Sequence, residues 1–324
     1  MTLTQVAIIT RRTILGFAIL VVLGTISFIG YQLWYANYLA SLPTPEEKPD
    51  VKFGILPEPN FLPSHVSSSN FSYKVATETG GLPDFGKIVK VYFMPKAAAT
   101  FLAQDKASAL ASKFNIDTPP EASSENIYKF QKDDRILNIE LDSGNFVYKS
   151  GATPSSQFNL ADSESIISNF RNVLLNLGIS KEELRSSHGK IEGSKILIWP
   201  KDIDSKPIVT ANFVTSLVKA EASFPASLPE HYSLINFTFW PVDLTTFSTY
   251  PIKSSSVALD DLKTGKGVIV IEPRSPQVSI TKAYLAYFQS EFYSPYLQPV
   301  FVFEAPNFVA YVPAITNEYI SPAK

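Results

Sequence analysis

TILGFAILVVLGTISFIGYQLWYANYL, residues 13–39, contains no charged side chain, and the uncharged run continues to Pro45. A bilayer core about 30 Å thick takes roughly 20 apolar residues in a helix. Thr13 to Leu33 supplies that length before aromatic residues take over, so the stretch reads as a transmembrane helix. Its flanks orient it: Arg11 and Arg12 precede it directly, and the next basic residue is Lys48. Positive charge stays on the cytoplasmic side, which predicts a cytoplasmic N-terminus and an extracytoplasmic chain from about residue 41. Tyr31, Trp34, Tyr35 and Tyr38 fall at i, i+3, i+4 and i+7, one helix face of amphipathic rings at the outer headgroup level. Arg11, Arg12, Trp34, Tyr35 and Tyr38 are therefore the expected anchor residues.

A cleaved signal peptide would need small residues at both minus three and minus one before the cut. Ala40 is preceded there by Tyr38 and Ala36 by Trp34, and the chain has no cysteine for acylation, so an uncleaved anchor is expected. Met1 to Arg12 is too short to bury a core, so any signal across the membrane would pass by lateral contact of the helix. Gly16 and Gly24 offer a small-residue face but no GxxxG, and a plain anchor is the simpler reading.

Of the 324 residues, 284 follow residue 40, enough for about two domains. With 45% hydrophobic, 13% aromatic and 18% charged residues, the composition is that of an ordered fold. Apart from the two arginines, the exterior carries 26 basic against 30 acidic residues, a mild balance that argues against nucleic acid as a partner. An exported chain without cysteine fits a bacterial envelope better than a eukaryotic surface. The sequons at Asn70 and Asn236 are read as chance.

Six prolines between Leu42 and Pro63 predict an extended spacer. KIVKVYFM (87–94) then reads as a strand; Ala103, Ala107, Leu110, Ala111 and Phe114 as a helix stripe with Thr100 as N-cap; 126–130, 137–141 and 146–149 as strands, the last two joined by DSGN. Ile166, Ile167, Phe170, Val173, Leu174 and Leu177 predict a second helix, capped by Asp162 or Ser163 and ended by Gly178. Strands follow at 195–199, about 208–224 and 234–240, then a short helix through Val257 and Leu262 stopped by Gly265. Strands at 267–271 and 278–288 and a hairpin around Ala305-Pro306-Asn307 complete the chain. The expected class is α+β, helices covering antiparallel sheets. The divisions are a tail at 1–12, a membrane helix and aromatic belt at 13–40, a spacer at 41–63, a first α+β domain at 64–155 and a second region at 156–324.

Residues 100–149, a helix, a strand and a hairpin ending in G-x-hydrophobic-x-aromatic, resemble the PepSY-type domain. YPIKSSSVALDDLKTGKGVIVIEP, VSITKAYLAYFQ and YLQPVFVFEAPNFVAYVPAI resemble the last domain of the YycI-type proteins. That resemblance implies a single-pass anchor carrying PepSY-like repeats and regulating a cell-wall sensor kinase by contacts between membrane helices. The spacer and the β material at 195–240 depart from the family pattern.

Ser216-Leu217-Val218-Lys219 and Lys263-Thr264-Gly265 match two of three signatures of penicillin-binding enzymes. Context argues against that chemistry. Ser216 sits in a strand-like run, where Lys219 would point to the opposite face, and the KTG falls at a helix end, where glycine is a stop. His65, His188 and His231 are isolated in polar or proline-flanked loops with no ligand spacing. Asp202 and Asp204 lack the further ligands of a calcium loop and read as a hairpin tip. Asp133-Asp134 and Asp260-Asp261 are neighbours that point apart. No catalytic residue, metal site or cofactor is assigned. Aromatic residues crowd 284–296; most read as core, while Phe292, Tyr293 and Tyr296 flank a polar turn and are the candidate binding residues. The expected function is non-enzymatic binding or regulation at the membrane, with another envelope or membrane protein as partner. A structural scaffold is the alternative and a serine acyl-enzyme the remote one.

Overall fold

A computed structural model describes residues 3–41, 48–96, 98–152, 163–179, 182, 184, 187–192, 195–210, 220–222, 228–290 and 292–321. Contacts divide the chain into two units, Met1–Lys48 and Pro49–Lys324. Among its described residues the first holds one helix, α1 (Leu3–Ser41). At 1.5 Å per residue it runs about 58 Å, and its apolar segment Ile14–Tyr35 is 22 residues long with nothing packed on it. That length and composition suffice to cross a bilayer. Residues 3–12, expected as a tail, continue the same helix, because helix propagation needs no core. Thr25 returns its hydroxyl to Val21 O at 2.5 Å, satisfying its one polar group within the helix. The belt rings stack along one face, Tyr31 on Tyr35 at 6.0 Å and Trp34 on Tyr38 at 5.6 Å.

In the second unit β1 (Leu56–Pro57), β2 (Ser72–Val75) and β3 (Ile88–Phe93) precede α2 (Ala103–Lys113). Next come β4 (Glu121–Ala122), β5 (Ile127–Lys132), β6 (Arg135–Glu140), β7 (Phe146–Lys149) and α3 (Ser163–Asn176). They are followed by β8 (His188–Glu192), β9 (Lys195–Trp199), β10 (Ile208–Thr210), β11 (Ala220–Ala222), β12 (Leu234–Phe237) and β13 (Asp243–Pro251). After α4 (Ser255–Lys263) the chain forms β14 (Val268–Ile271), β15 (Gln277–Ile280), β16 (Lys282–Gln289), β17 (Tyr296–Ala305), β18 (Phe308–Pro313) and β19 (Ile320–Ser321). The class is α+β, as expected.

One sheet is antiparallel throughout, in the order β4-β5-β6-β7-β12-β11-β9-β8. Alternation decides its inner face: Leu137 and Ile139 are buried while Asn138 between them is exposed. Against that face lie the stripes of α2 (Ala107, Ala111) and α3 (Ile167, Phe170, Val173, Leu174), with Phe114 stacked on Tyr148 at 4.3 Å. Gly178 ends the α3 segment at φ +97°, a conformation that favours glycine. Thr100 is not the N-cap of α2. Leu102 holds that position without a side-chain bond, and Thr100 offers only its carbonyl, to Ala103 N at 2.9 Å.

The second sheet runs β10-β16-β17-β18-β14, with β3 pairing β17 and β13. Its core joins Leu285, Phe301, Phe303, Ala310 and Val312 to Ala258, Leu259 and Leu262 of α4, whose N-cap Ser254 accepts from Val257 N. Sheet membership cuts across the expected division at 155/156, a point outside the described residues. β3 pairs Val89 with Tyr250 and Tyr92 with Leu297, while β12 pairs Ile235 with Tyr148 across that division. The segment from α2 to β12, β10 excepted, builds its own sheet, nested in the chain between β3 and β13.

The expected spacer is folded from Pro49 on. Val51 N donates to Thr249 O at 3.0 Å, Asp50 N to Thr249 Oγ1 at 2.8 Å and Lys52 N to Ser248 Oγ at 2.7 Å. Leu56 is fully buried in parallel pairing with Ile320, Gln298 Nε2 donates to Pro57 O at 2.7 Å, and Phe61 packs edge-on against Phe288 at 4.7 Å. The prolines stiffen this strap, but the apolar residues between them outweigh solvation of an extended chain. A fragment beginning at Pro49 should therefore unfold at higher urea than one beginning at Ser64, by about 4 kcal/mol or more. Equal stabilities would mean that the strap contributes nothing to the fold.

Asp261 ties α4 to the segments on either side. It is 6% exposed, with Oδ1 2.9 Å from Lys266 Nζ and Oδ2 2.9 Å from Lys253 Nζ, the latter an ion pair without the alignment of a hydrogen bond. Burial pushes its pKa up, but the hydrogen bond from Lys266 and the charges of Lys253 and Lys266 outweigh burial and hold it below the usual value. A carboxylate depressed in the folded state contributes stability that is fully present above its unfolded pKa, near about 3.9, and is lost as pH falls through the lower folded value. Asp261→Asn should cost about 3 kcal/mol at pH 7, with the gap to the parent closing as pH drops below about 4. A gap that stays constant down to pH of about 2 would show that the charge is not its source.

Candidate functional site

The aromatic turn lies between β16 and β17. Ser290, buried, accepts Phe292 N on its hydroxyl oxygen at 3.3 Å and donates to Asn60 O at 3.4 Å, so the turn is fastened to the strap. Of the three candidate residues only Phe292 is well exposed, at 63%. Tyr293 is half-buried: its hydroxyl donates to Met94 O at 2.9 Å, its ring lies 5.8 Å from Trp240, and Lys96 Nζ sits 5.6 Å from the ring centre. Burial, then the neighbouring Tyr296, pushes the Tyr293 phenol up. Tyr296 opens β17 opposite Phe93 and stacks on Phe53 of the strap at 4.9 Å. Both tyrosines thus hold structure together where exposure was expected, because the strap that covers Tyr296 reads in the sequence as a spacer. Of the rings read as core, Tyr287 and Phe288 are buried and Tyr284 is half-buried; Tyr287 donates to Lys90 O at 3.0 Å.

A second surface escaped the sequence reading. Between α2 and the β6–β7 turn lies a groove of about 450 Å³, with Ala103, Ala107 and Leu110 on the helix side and Leu141 and Gly144 on the turn side. Alanines on the helix stripe leave this volume open. Phe101, fully exposed, and Leu102, 59% exposed, lie in the chain between Thr100 and Ala103, which line it. Phe101 precedes the N-cap Leu102, outside the helical periodicity that buries Ala103, Ala107 and Ala111, so the sequence pattern carries no signal for its exposure.

Of the catalytic fragments, Lys263-Thr264-Gly265 lies among the described residues. Ser216 and Lys219 lie outside the described residues. Lys263-Thr264-Gly265 is the turn that ends α4, with Gly265 at φ +87° and Lys263 Nζ 2.9 Å from Asp260 Oδ1. His188 is not in a loop but opens β8, its ring 5.8 Å from Trp199 and Nε2 3.9 Å from Asp202 Oδ1. His231 closes a single helical turn, and His65 lines a small cavity of about 210 Å³ with Phe61 and Val270. Asp204 and Ser205 have φ of 53° and 58° in a tight turn bridged by Ile203 and Lys206, the expected hairpin tip, and Asp204 lies 3.5 Å from Lys90. Asp133, at φ 53°, turns β5 into β6, and Asp134 Oδ2 accepts Gly151 N at 3.0 Å. Among the described residues no group of three His, Cys, Asp or Glu side chains is placed to hold a metal ion.

No family model matches the chain and no curated protein matches it. Among solved structures, the crystal structure of YycH from Bacillus subtilis is similar with a TM-score of 0.40 at 11% identity, over 76% of this chain. The match spans 57% of the YycH chain.

Proposed function

We propose that this chain is a non-enzymatic, membrane-anchored binding or regulatory protein of a bacterial envelope, acting through contacts with another membrane or envelope protein. The observation that carries the reading is the strap. The backbone that follows the apolar helix in sequence is fastened from Asp50 onward to β13, β17 and β19. A load on the second sheet is therefore borne by the same backbone that continues to the membrane, without a swivel inside the folded unit. The arginine pair Arg11 and Arg12 supports a cytoplasmic N-terminus. The resemblance of residues 100–149 to PepSY-type domains supports the finer reading, in which α2 with β5–β7 and α3 with β8, β9, β11 and β12 are two such repeats. Likeness of the C-terminal runs to YycI-type proteins supports regulation in particular. Phe292 is the aromatic contact offered to the partner, and no cofactor is required.

In cells, a photo-crosslinker placed at residue 292 should capture one membrane protein in stoichiometric yield, and Phe292→Asp should lower co-purification by about tenfold or more. Capture of wall polymer alone would replace this reading by that of a scaffold. Protease added to intact, wall-stripped cells should digest the unit beginning at Pro49; protection until the membrane is opened would overturn the orientation. Labelling by a fluorescent β-lactam that disappears in Ser216→Ala would put acyl-enzyme chemistry in its place.

A further inference from the structure

We propose that β14 is a docking edge, to which an extended segment of the partner protein adds as a strand in the cleft between β14 and the strap. The proposal rests on the reading of this chain as a binding protein and names how the partner is held. β14 is the terminal strand of the second sheet and pairs with β18 on one side. Among the described residues no backbone hydrogen bond reaches its other edge. The neighbouring strap bonds to itself instead, Phe61 N donating to Pro59 O at 2.9 Å and Val66 N to Ser64 Oγ at 3.3 Å. Ser290 donates to Asn60 O at 3.4 Å and Ser68 Oγ to Gly267 O at 3.2 Å. Residues 61–66 therefore stand between two attachments, beside β14 but not bonded to it.

The cleft so formed, about 210 Å³, is lined by Val268 and Val270 of β14, by Ser64 and Val66 of the strap, and by Phe61 and Phe288. Four residues of strand offer about 13 Å of edge. An added strand draws affinity from main-chain bonds and choice from pockets for alternate side chains. The unpaired edge supplies the first and the apolar lining the second, so every second residue of the segment is apolar. Glu272 is the one Asp, Glu, Lys or Arg among the described lining residues, exposed and without an ion pair among them, so the segment carries Lys or Arg at that end. A second copy does not fit: sheets join edge to edge only where both edges are bare, and residues 61–66 stand beside this edge in each copy. The register with β18 also shifts between Ile269 and Ile271, and such a bulge turns an edge away from flat pairing. A lone segment can bend with a bulge, whereas a whole sheet cannot. An acyl chain would cover Phe61 and Val270 but leave the main-chain groups of β14 unbonded.

A random heptapeptide library displayed on phage, panned against the full-length chain in detergent micelles, tests this. The Glu272→Lys variant serves as counter-selection, and it should keep the parent's thermal unfolding because Glu272 is exposed. Enriched peptides with apolar residues at alternate positions and Lys or Arg towards one end are expected. Synthetic copies should bind the parent about tenfold more tightly than Glu272→Lys. Methylating the peptide's backbone nitrogens one at a time should weaken binding by about tenfold at every second position and little in between, because only alternate N–H groups face β14. A library that yields no peptide able to tell the two proteins apart overturns the proposal. So does binding that N-methylation weakens at no position, which would make the cleft a side-chain groove. If a crosslinker at residue 292 captures a membrane protein while no peptide is selected, the binding reading stands and the β14 edge falls. A selected, methylation-sensitive peptide without capture at residue 292 supports this edge and removes Phe292 as the contact.

Discussion

The pairing of β3 between β13 and β17 is the constraint on which the second unit depends. It sets Val89 against Tyr250 and Tyr92 against Leu297, so strands more than 150 residues apart in the chain share one ladder. Closing a loop of that length costs entropy that grows only slowly with length, but no local contact rewards it until the strands meet. Apart from β10, the described strands between Phe93 and Asp243 form their own sheet and bury their own face, which makes such a closure feasible. The nested sheet, the position of the aromatic turn and the course of the strap all follow from where β3 is held.

The strap uses the same sheet for a second purpose. Proline-rich chain is usually solvated, yet here side chains meet each opening: Thr249 and Ser248 accept backbone N–H groups, and Tyr250 and Gln298 donate to the carbonyls of Gly54 and Pro57. Leu56, with no exposed surface, and Pro59 are the buried residues of the strap. The chain is thereby gripped at several points along its length, so the folded unit is held by its backbone and not by a single hinge.

Much of this was legible and some was not, for reasons that differ by residue. The apolar helix, the stripes of α2, α3 and α4 and the β17–β18 hairpin with Asn307 at φ 57° are local patterns, visible because 3.6- and 2-residue periodicities and turn residues are written in short windows. The partners of β3 were invisible, since a strand's pattern shows which face is buried but not which strand lies beside it. β13 reads DLTTFSTYP, polar and with a register shift between Asp243 and Phe247, so its membership of a sheet rests on its neighbour and not on its own alternation. Tyr293 and Tyr296 read as surface because the turn around them is polar; burial there comes from Phe53 and Trp240, remote in sequence. Phe101 escaped because it precedes the N-cap of α2, outside the helical periodicity that shows which face is buried.

A cysteine-free exterior must hold its elements together without disulfides, and tyrosines do much of that. Tyr148 donates to Glu230 O, Tyr250 to Gly54 O, Tyr287 to Lys90 O, Tyr293 to Met94 O and Tyr311 to Thr210 O, each at 2.9–3.0 Å and each joining segments distant in sequence. The ring supplies apolar area to one element while the hydroxyl satisfies a carbonyl of another, so one residue both packs and cross-links. Burial holds all five phenols above their ordinary pKa, which keeps the donor proton in place. In this chain, then, a cluster of tyrosines is first a statement about how the sheets are fastened. Only the aromatic rings that escape such bonds, Phe292 and Phe101 among them, remain to meet another molecule.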